Sequence, residues 1–568
     1  MQRRKFIQMV SAGSALLSGS GISLLAAKPA YRKKLHSEIA ADAVVAGGGL
    51  GGFTATLAML KNGLNVVLTE ETDWIGGQLT QQGVPPDEHP WIETHGAPQS
   101  YRDFRTAVRH YYRKHYPLKE EVKENAYLNP GNGSVSRLCH EPRVALSIME
   151  SMLAPYVSSG QLTLLLRCRI SGADMQGDRI RALTGHSPYF QGGVVLNARF
   201  FIDATELGDL LPLSHTEYVT GTESRNETGE LHAPLEGNPQ NNQAFTICLA
   251  MDYEPDADYT IPKPRMYDYW RNYVPKLSPP WPGLLLDLHY ANPKTLQAKE
   301  LAFDPRGTDT GPLLNLWNYR RIIDHRQFKD GFYKGGISIM NWPQNDYMEG
   351  NLIDVSEEEF QRHVDRAKQL SLSMFYWLQT EAPTPKGKLG WKGLRLRGDI
   401  LGTSDGLAKY PYVRESRRIK AKFTILEEHV GAEQRKLVTG KDEKLAADFY
   451  DSVGIGYYHI DLHPSNLGNN YIDFSSLPFQ IPLGALLPER VENLLPANKN
   501  IGTTHITNGC YRLHPVEWSI GEAIGLLVAF SDGKQTIPAH VWENRQMLAE
   551  FQVFIRKHGI DTHWRLSS

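Results

Sequence analysis

Cysteine is scarce: Cys139, Cys168, Cys248 and Cys510 are the only four in 568 residues, and no two stand in a CxxC spacing. That excludes a zinc ribbon and a disulfide-stapled scaffold. An excess of either charge is also missing, since 61 Lys and Arg face 63 Asp and Glu for a net charge of −2. Without a basic field there is nothing to draw nucleic acid, and none is expected as a partner. Repeats and low-complexity tracts are absent too. Apolar residues at 41% and charged residues at 22% match a folded soluble protein and exclude wholesale disorder or a polytopic membrane protein. No His/Asp/Glu spacing indicates a metal site.

The first 27 residues hold Arg3, Arg4 and Lys5, no acid, and then a weakly apolar run rich in Ala, Gly, Ser and Leu. This is the layout of a signal peptide. The arginine pair followed by Phe6 and Ile7 resembles the twin-arginine export signal, with Leu25-Ala26-Ala27 offering a cleavage point. A periplasmic or otherwise exported protein is therefore expected, with the twin-arginine machinery as partner and no stable membrane span after processing. A membrane anchor is the alternative, disfavoured by Gly13, Gly19 and Gly21.

From Ala43 the chain reads as a complete βαβ unit. An apolar strand, Ala43 to Ala46, runs into Gly47-x-Gly49-x-Gly51-Gly52, a helix from Thr54 to Leu60, and a second strand, Val66 to Thr69, ending at Glu70. Gly47 suits a tight turn, Gly49 lets the backbone approach a pyrophosphate on the helix N-terminus, and Gly52 permits close helix–strand packing. Glu70 is placed to accept hydrogen bonds from ribose hydroxyls. A dinucleotide site is the expectation.

Four further segments bear on which dinucleotide. Gly76-Gly77-Gln78 follows Glu70, and Asp203-Ala204-Thr205-Glu206 ends an apolar strand. Asn493 to Ala497 leads through Arg512, His514 and Glu517 to a helix holding Gly521, and Tyr412 to Ile419 contains three arginines. Together they resemble the FAD-dependent oxidoreductase family, two-dinucleotide-binding-fold flavoproteins distantly like fumarate reductase flavoproteins. Glu206 departs from the pattern, standing where a glycine is usual. The resemblance implies FAD as cofactor, with Gly47, Gly49, Gly51, Gly52, Glu70, Gly76, Gly77, Gln78, Ala204, Thr205 and Gly521 as its contacts. It also implies an α/β fold, in which a Rossmann-like FAD-binding domain is split between N- and C-terminal regions around an inserted mixed α+β substrate domain. The boundaries are 1–27 for the signal, 28–210 and 480–568 for the FAD-binding halves, and 211–479 for the insertion.

Elsewhere the periodicity predicts helices at Tyr101–His115, Pro142–Tyr156, Glu357–Thr380 and Ala539–Lys557. Strands are expected at Leu162–Ile170, Ala173–Thr184 and Val194–Asp203. Arg102, Arg105, Arg109 and Arg113 read as the solvated side of a packed helix, or as part of a cap over the flavin.

A flavin carries the hydride step, so the protein needs only a base and orienting charge near the FAD segments. His505, Arg512 and His514 are the catalytic candidates, histidine as proton acceptor and arginine as anion holder. The bland alternative is a helix-start turn with Glu517 capping. Arg414, Arg417 and Arg418 read equally as a carboxylate clamp or as a surface strand paired through Glu415. His89 and His95 are ordinary loop histidines or reach the site, and the cysteines are buried structural thiols.

The leading expectation is an exported FAD-dependent oxidoreductase. It would oxidise a small polar substrate, a sugar, polyol or organic acid, and pass electrons to an unidentified acceptor. The alternatives are a fumarate-reductase-like alkene reductase and a glycan-processing or glycan-binding protein with structural FAD.

Overall fold

Val44, Val45, Val67 and Leu68 are aliphatic and fully buried, as strands covered on both faces must be. They lie at the centre of a five-stranded parallel sheet in a computed structural model that describes residues 37–190, 192–385 and 387–565. The order is Leu494–Pro496, Phe200–Asp203, Ala43–Ala46, Val66–Glu70, Leu162–Leu166. The last strand in sequence thus pairs with one nearly 300 residues earlier, Leu495 opposite Ile202. The residues read as an export signal lie outside the described ones.

The helix after the first strand begins at Leu50, earlier than its apolar run suggests, because Gly49 O already accepts from Phe53 N at 2.9 Å. It packs along the helix His514–Gly533 so closely that a Cβ on Gly521 would lie 2.1 Å from Gly51 O. N- and C-terminal segments therefore build one Rossmann-like fold.

Four expected elements divide, Ala173–Thr184 at the turn between the strands Arg169–Gln176 and Arg179–His186. Leu162–Ile170 breaks at Arg167, whose φ of +53° turns the chain out of the parallel sheet. Val194–Asp203 is two strands: Val194–Asn197 joins a four-stranded sheet with Arg169–Gln176, Arg179–His186 and Ser37–Ala40, and Phe200–Asp203 joins the parallel one. The terminal helix is interrupted at Asn544, whose carboxamide caps Arg545–Lys557 through Gln546 N and Met547 N. Asparagine competes for backbone donors in this way.

The arginine-bearing helix, Gln99–His115, does not turn a solvated basic side outward. Arg105 is buried against Glu88 and Glu93, and Arg109 meets Glu93 at 2.6 Å. The Pro-rich loop before the helix folds over it and supplies the countercharge that burial of a guanidinium demands.

Between the parallel-sheet segments, Arg321–Ile323, Ile337–Met340, Leu249–Tyr253 and Leu394–Leu396 form an antiparallel sheet. The helix Glu357–Thr380, opened by a Ser356–Glu359 capping box, buries Leu370, Met374, Phe375 and Leu378 at helical spacing. These join an apolar core drawn from Leu207 to Tyr471, separate from the core that packs against the parallel sheet. Among the described residues no helix is long and apolar enough to cross a membrane.

Candidate functional site

Gly47, Gly49, Glu70, Ala204 and Thr205 line one cleft at the C-terminal ends of the parallel strands. Ligands bind there in open α/β sheets. Gly47 has φ +95°, and a Cβ on it would strike Ala204 O at 2.2 Å. Only glycine fits both conditions. Glu70 closes the cleft, accepting from Gly48 N and Thr72 N at 2.8 Å each. Gly76 and Gly77 lay their loop against the first helix start, Gly76 N donating to Gly48 O at 2.7 Å. Gln78 links that loop to the C-terminal segment, its amide donating to Arg512 O at 3.0 Å and to the Glu517 carboxylate. Gly51, Gly52 and Gly521 do not line the cleft; each lets backbone pass within a distance a Cβ would block.

The unusual Glu206 is buried beside Gly49, with its carboxylate paired to the Lys499 ammonium. Glu517 lies 4.0 Å from the same ammonium, and burial lifts its carboxyl to about 7. Lys499 went unread in the sequence. Its signal was the motif departure itself, because a buried carboxylate in place of glycine calls for a cation.

Whether this cleft suits FAD can be judged from unpaired atoms in and beside it. Glu206, which lines the cleft, has Oε1 buried with no hydrogen-bond partner, and so do Gln78 Oε1 and both amide atoms of Gln82 in the adjoining loop after Gly77. Buried polar groups are seldom left so. With the glycine cradle and the helix start above Gly49, these orphans fit a bound group rich in donors and acceptors, as a dinucleotide is.

A second cavity, of about 200 Å³, gathers residues from distant parts of the chain. Asp87, Arg320, Arg414, Asp461, His463 and Arg512 all line it. Arg320 faces Asp87 at 3.4 Å, Arg414 faces Asp346 at 3.0 Å, and Arg512 faces Asp461 at 3.1 Å. Each guanidinium is thereby matched by a carboxylate. His463 Nδ1 bonds Asp346 Oδ2 at 2.6 Å, leaving Nε2 toward Asp461 at 3.8 Å.

Of the three catalytic candidates, the structure brings only Arg512 into this cavity. Arg512 also ends the helix His505–Tyr511, which stands between the strand Leu494–Pro496 and the helix His514–Gly533. His514 stands behind the wall, Nδ1 accepting from Asp87 N at 3.0 Å and Nε2 without a partner. Burial lowers its pKa to about 4, so the ring is neutral. His505 opens its helix with Nδ1 bonded to Glu415 and does not line the cavity. The Tyr412–Ile419 segment is buried, which overturns the surface-strand reading: Arg414 and Arg418 are 2% and 0% exposed. His89 bonds Gly96 O at 3.1 Å among Trp91 and Trp564, outside the cavity. All four cysteines are buried and unpaired, and burial pushes the Cys139 thiol up to about 12.

The profile of the FAD dependent oxidoreductase family matches residues 42–553. The chain belongs to that family. This flavoenzyme binds FAD and is an FAD-dependent oxidoreductase, and its fold is the one those proteins share. No curated protein matches its sequence. Among solved structures it is similar to E. coli quinol fumarate reductase FrdA in a mutant form, at 10% identity over 92% of this chain and 74% of that one, with TM-score 0.33. It is similar also to p-nitrophenol 4-monooxygenase PnpA from Pseudomonas putida DLL-E4, at 11% identity over 92% and 85%, with TM-score 0.34. L-proline dehydrogenase from P. horikoshii aligns at 13% identity over 35% of this chain, which spans 28% of that one, with TM-score 0.18. Overlaps this loose carry no information about substrate.

Proposed function

We propose that this flavoenzyme oxidises a small, uncharged polyhydroxy compound, a sugar or polyol, in the cavity between its FAD segments and the insertion 211–479. The observation that carries this reading is the pairing of Arg320, Arg414 and Arg512 with Asp87, Asp346 and Asp461. With Arg320, Arg414 and Arg512 each matched by a carboxylate, the cavity offers no unpaired guanidinium to clamp an organic acid, while aromatic walls such as Tyr290 and Trp342 suit a sugar face.

In this reading Gly47, Gly49, Glu70, Ala204 and Thr205 hold the dinucleotide, with the Gly76-Gly77-Gln78 loop beside them. Gly51, Gly52 and Gly521 bring the surrounding backbone together. Bound FAD supplies an acceptor for the hydride. His463 takes the substrate hydroxyl proton at Nε2, because Asp346 holds Nδ1–H and fixes that tautomer. Arg512 orients the substrate, and His514 holds the loop at Asp87.

The chain is exported by the twin-arginine machinery to the periplasm after cleavage near Ala27, and a separate acceptor reoxidises it. The basic pair Arg3-Arg4 and the modest apolar run behind it support this placement. Fractionating cells that express the full chain or an Arg3→Lys/Arg4→Lys variant tests it: the parent is expected in the periplasm, and equal export of both would end the reading.

For the chemistry, the FAD-loaded protein is mixed anaerobically with sugars, polyols, hydroxy acids and amines. Bleaching of the flavin by sugars or polyols is expected. Bleaching only by acids or amines, or by none, contradicts the substrate class.

A further inference from the structure

One carboxylate in the cavity has no guanidinium of its own. Asp87, Asp346 and Asp461 each face an arginine; Asp473 has only the longer contact with His459, Nε2 to Oδ2 at 3.7 Å, with Lys294 and His463 acting on it from beyond ion-pair distance. The local fold explains how it arrived there. Ile460–Leu462 and Ile472–Phe474 pair antiparallel with Asp461 directly opposite Asp473. Residues on a strand alternate faces, so His459, Asp461 and His463 fall on one side of the first strand. Two like charges directly opposite each other repel.

Two further atoms at the same wall lack partners. Asp473 Oδ1 is buried and unbonded on a side chain 9% exposed. The Tyr471 hydroxyl, on a residue 4% exposed that lines the same cavity, is unbonded as well. A hydroxyl and a carboxylate left unpaired beside a repelling pair point to a missing positive partner.

We infer that His459, Asp461 and Asp473 form a mononuclear site for a divalent cation in the wall of this cavity. One ligand atom from each lies within 4.8 Å of the others. Bonds of about 2.1 Å would bring them to roughly 3.4 Å, a closure of up to about 1.4 Å. The half-exposed His459 can supply most of it, since its side chain is 38% exposed. One imidazole and two carboxylates suit Mn²⁺ or Zn²⁺, between the hard preference of oxygen sites and the nitrogen preference of zinc. Three protein ligands leave coordination positions open to the cavity, where hydroxyl oxygens or water complete the shell. The site stands whether or not the substrate is a sugar, because it rests on the protein's own ligands.

The test is direct binding to the full-length, FAD-loaded protein after chelator treatment and dialysis. Mn²⁺ is followed by loss of the free-ion EPR signal and Zn²⁺ by calorimetry, in the parent and in Asp473→Asn and His459→Ala. The expected result is one saturable site per chain, weakened in both variants by more than the roughly 100-fold typical of losing an outer-shell partner. The His459 variant guards against misfolding, its side chain being partly exposed with only a stack on Tyr458 to lose, and the flavin spectrum confirms that each variant is loaded. No saturable site for either ion, or one that survives either substitution unchanged, overturns the proposal.

Discussion

Asp346 joins His463 to Arg414: one oxygen bonds His463 Nδ1 at 2.6 Å and the other meets Arg414 at 3.0 Å. The carboxylate is fully buried, and burial works against its charge while Arg414 and His463 hold its pKa below the usual range. A fixed anion behind an imidazole sets which nitrogen is free to take a proton.

Replacing His463 by Gln is therefore expected to lower the rate of flavin reduction by about 10² to 10⁴, the usual worth of a positioned base. FAD content should be unchanged. Stopped-flow anaerobic reduction with the bleaching substrate checks it, and an unaltered rate removes His463 from the mechanism.

Lys499 sits between Glu206 and Glu517 under the first helix start. Lys499→Met leaves two buried carboxylates without their cation, and breaking such a pair costs about 3–5 kcal/mol. A lowered melting temperature and weaker FAD retention are expected. Adding Glu206→Gln should recover much of the loss; a double variant no more stable than the single would show that the charge pairing is immaterial.

Gly521→Ala places a methyl 2.1 Å from Gly51 O and 2.4 Å from Gly51 Cα. Those are backbone positions that cannot swing aside, so the helices must part, at about 1–3 kcal/mol or more. Thermal melting and the flavin absorbance of the purified variant should both fall. Gly533→Ala, near the end of the same helix where a Cβ meets nothing within 4 Å, is the control.

The legible part of this protein was local. Gly47 to Glu70 could be read because strand, turn, helix and strand follow one another within 30 residues. The helix Glu357–Thr380 announced itself through its cap and apolar spacing. The cavity could not be read, because Asp87, Arg320, Asp461 and Arg512 are brought together only by tertiary packing. His505 misled for the same reason: proximity to Arg512 in sequence is one helix of separation in space. A pattern was nevertheless available at His459-x-Asp461-x-His463, whose alternation predicts one strand face.

Burial lifts Glu522 to about 7, although Ser100 Oγ donates to it at 2.6 Å. The folded protein keeps this proton while the unfolded chain releases it near pH 4.5, so the carboxyl's stabilising contribution is full below that pH and is lost as pH rises to 7. Glu522→Gln removes this titration and can still accept from Ser100. Relative to the parent it should gain stability between pH 4.5 and 7 and hold that gain above, on the order of 3 kcal/mol at most. Denaturant unfolding at pH 4 and pH 8 reads the difference, and a gain that shrinks with rising pH would contradict it.

The strand Leu494–Pro496 and the helix His514–Gly533 complete a nucleotide cleft begun by Gly47. A ribosome makes these pieces more than 400 residues apart. Until the second helix has left the exit tunnel the cleft lacks a wall, so the nascent chain cannot capture its dinucleotide before that helix emerges. Apoprotein is therefore the first folded form of the N-terminal segment.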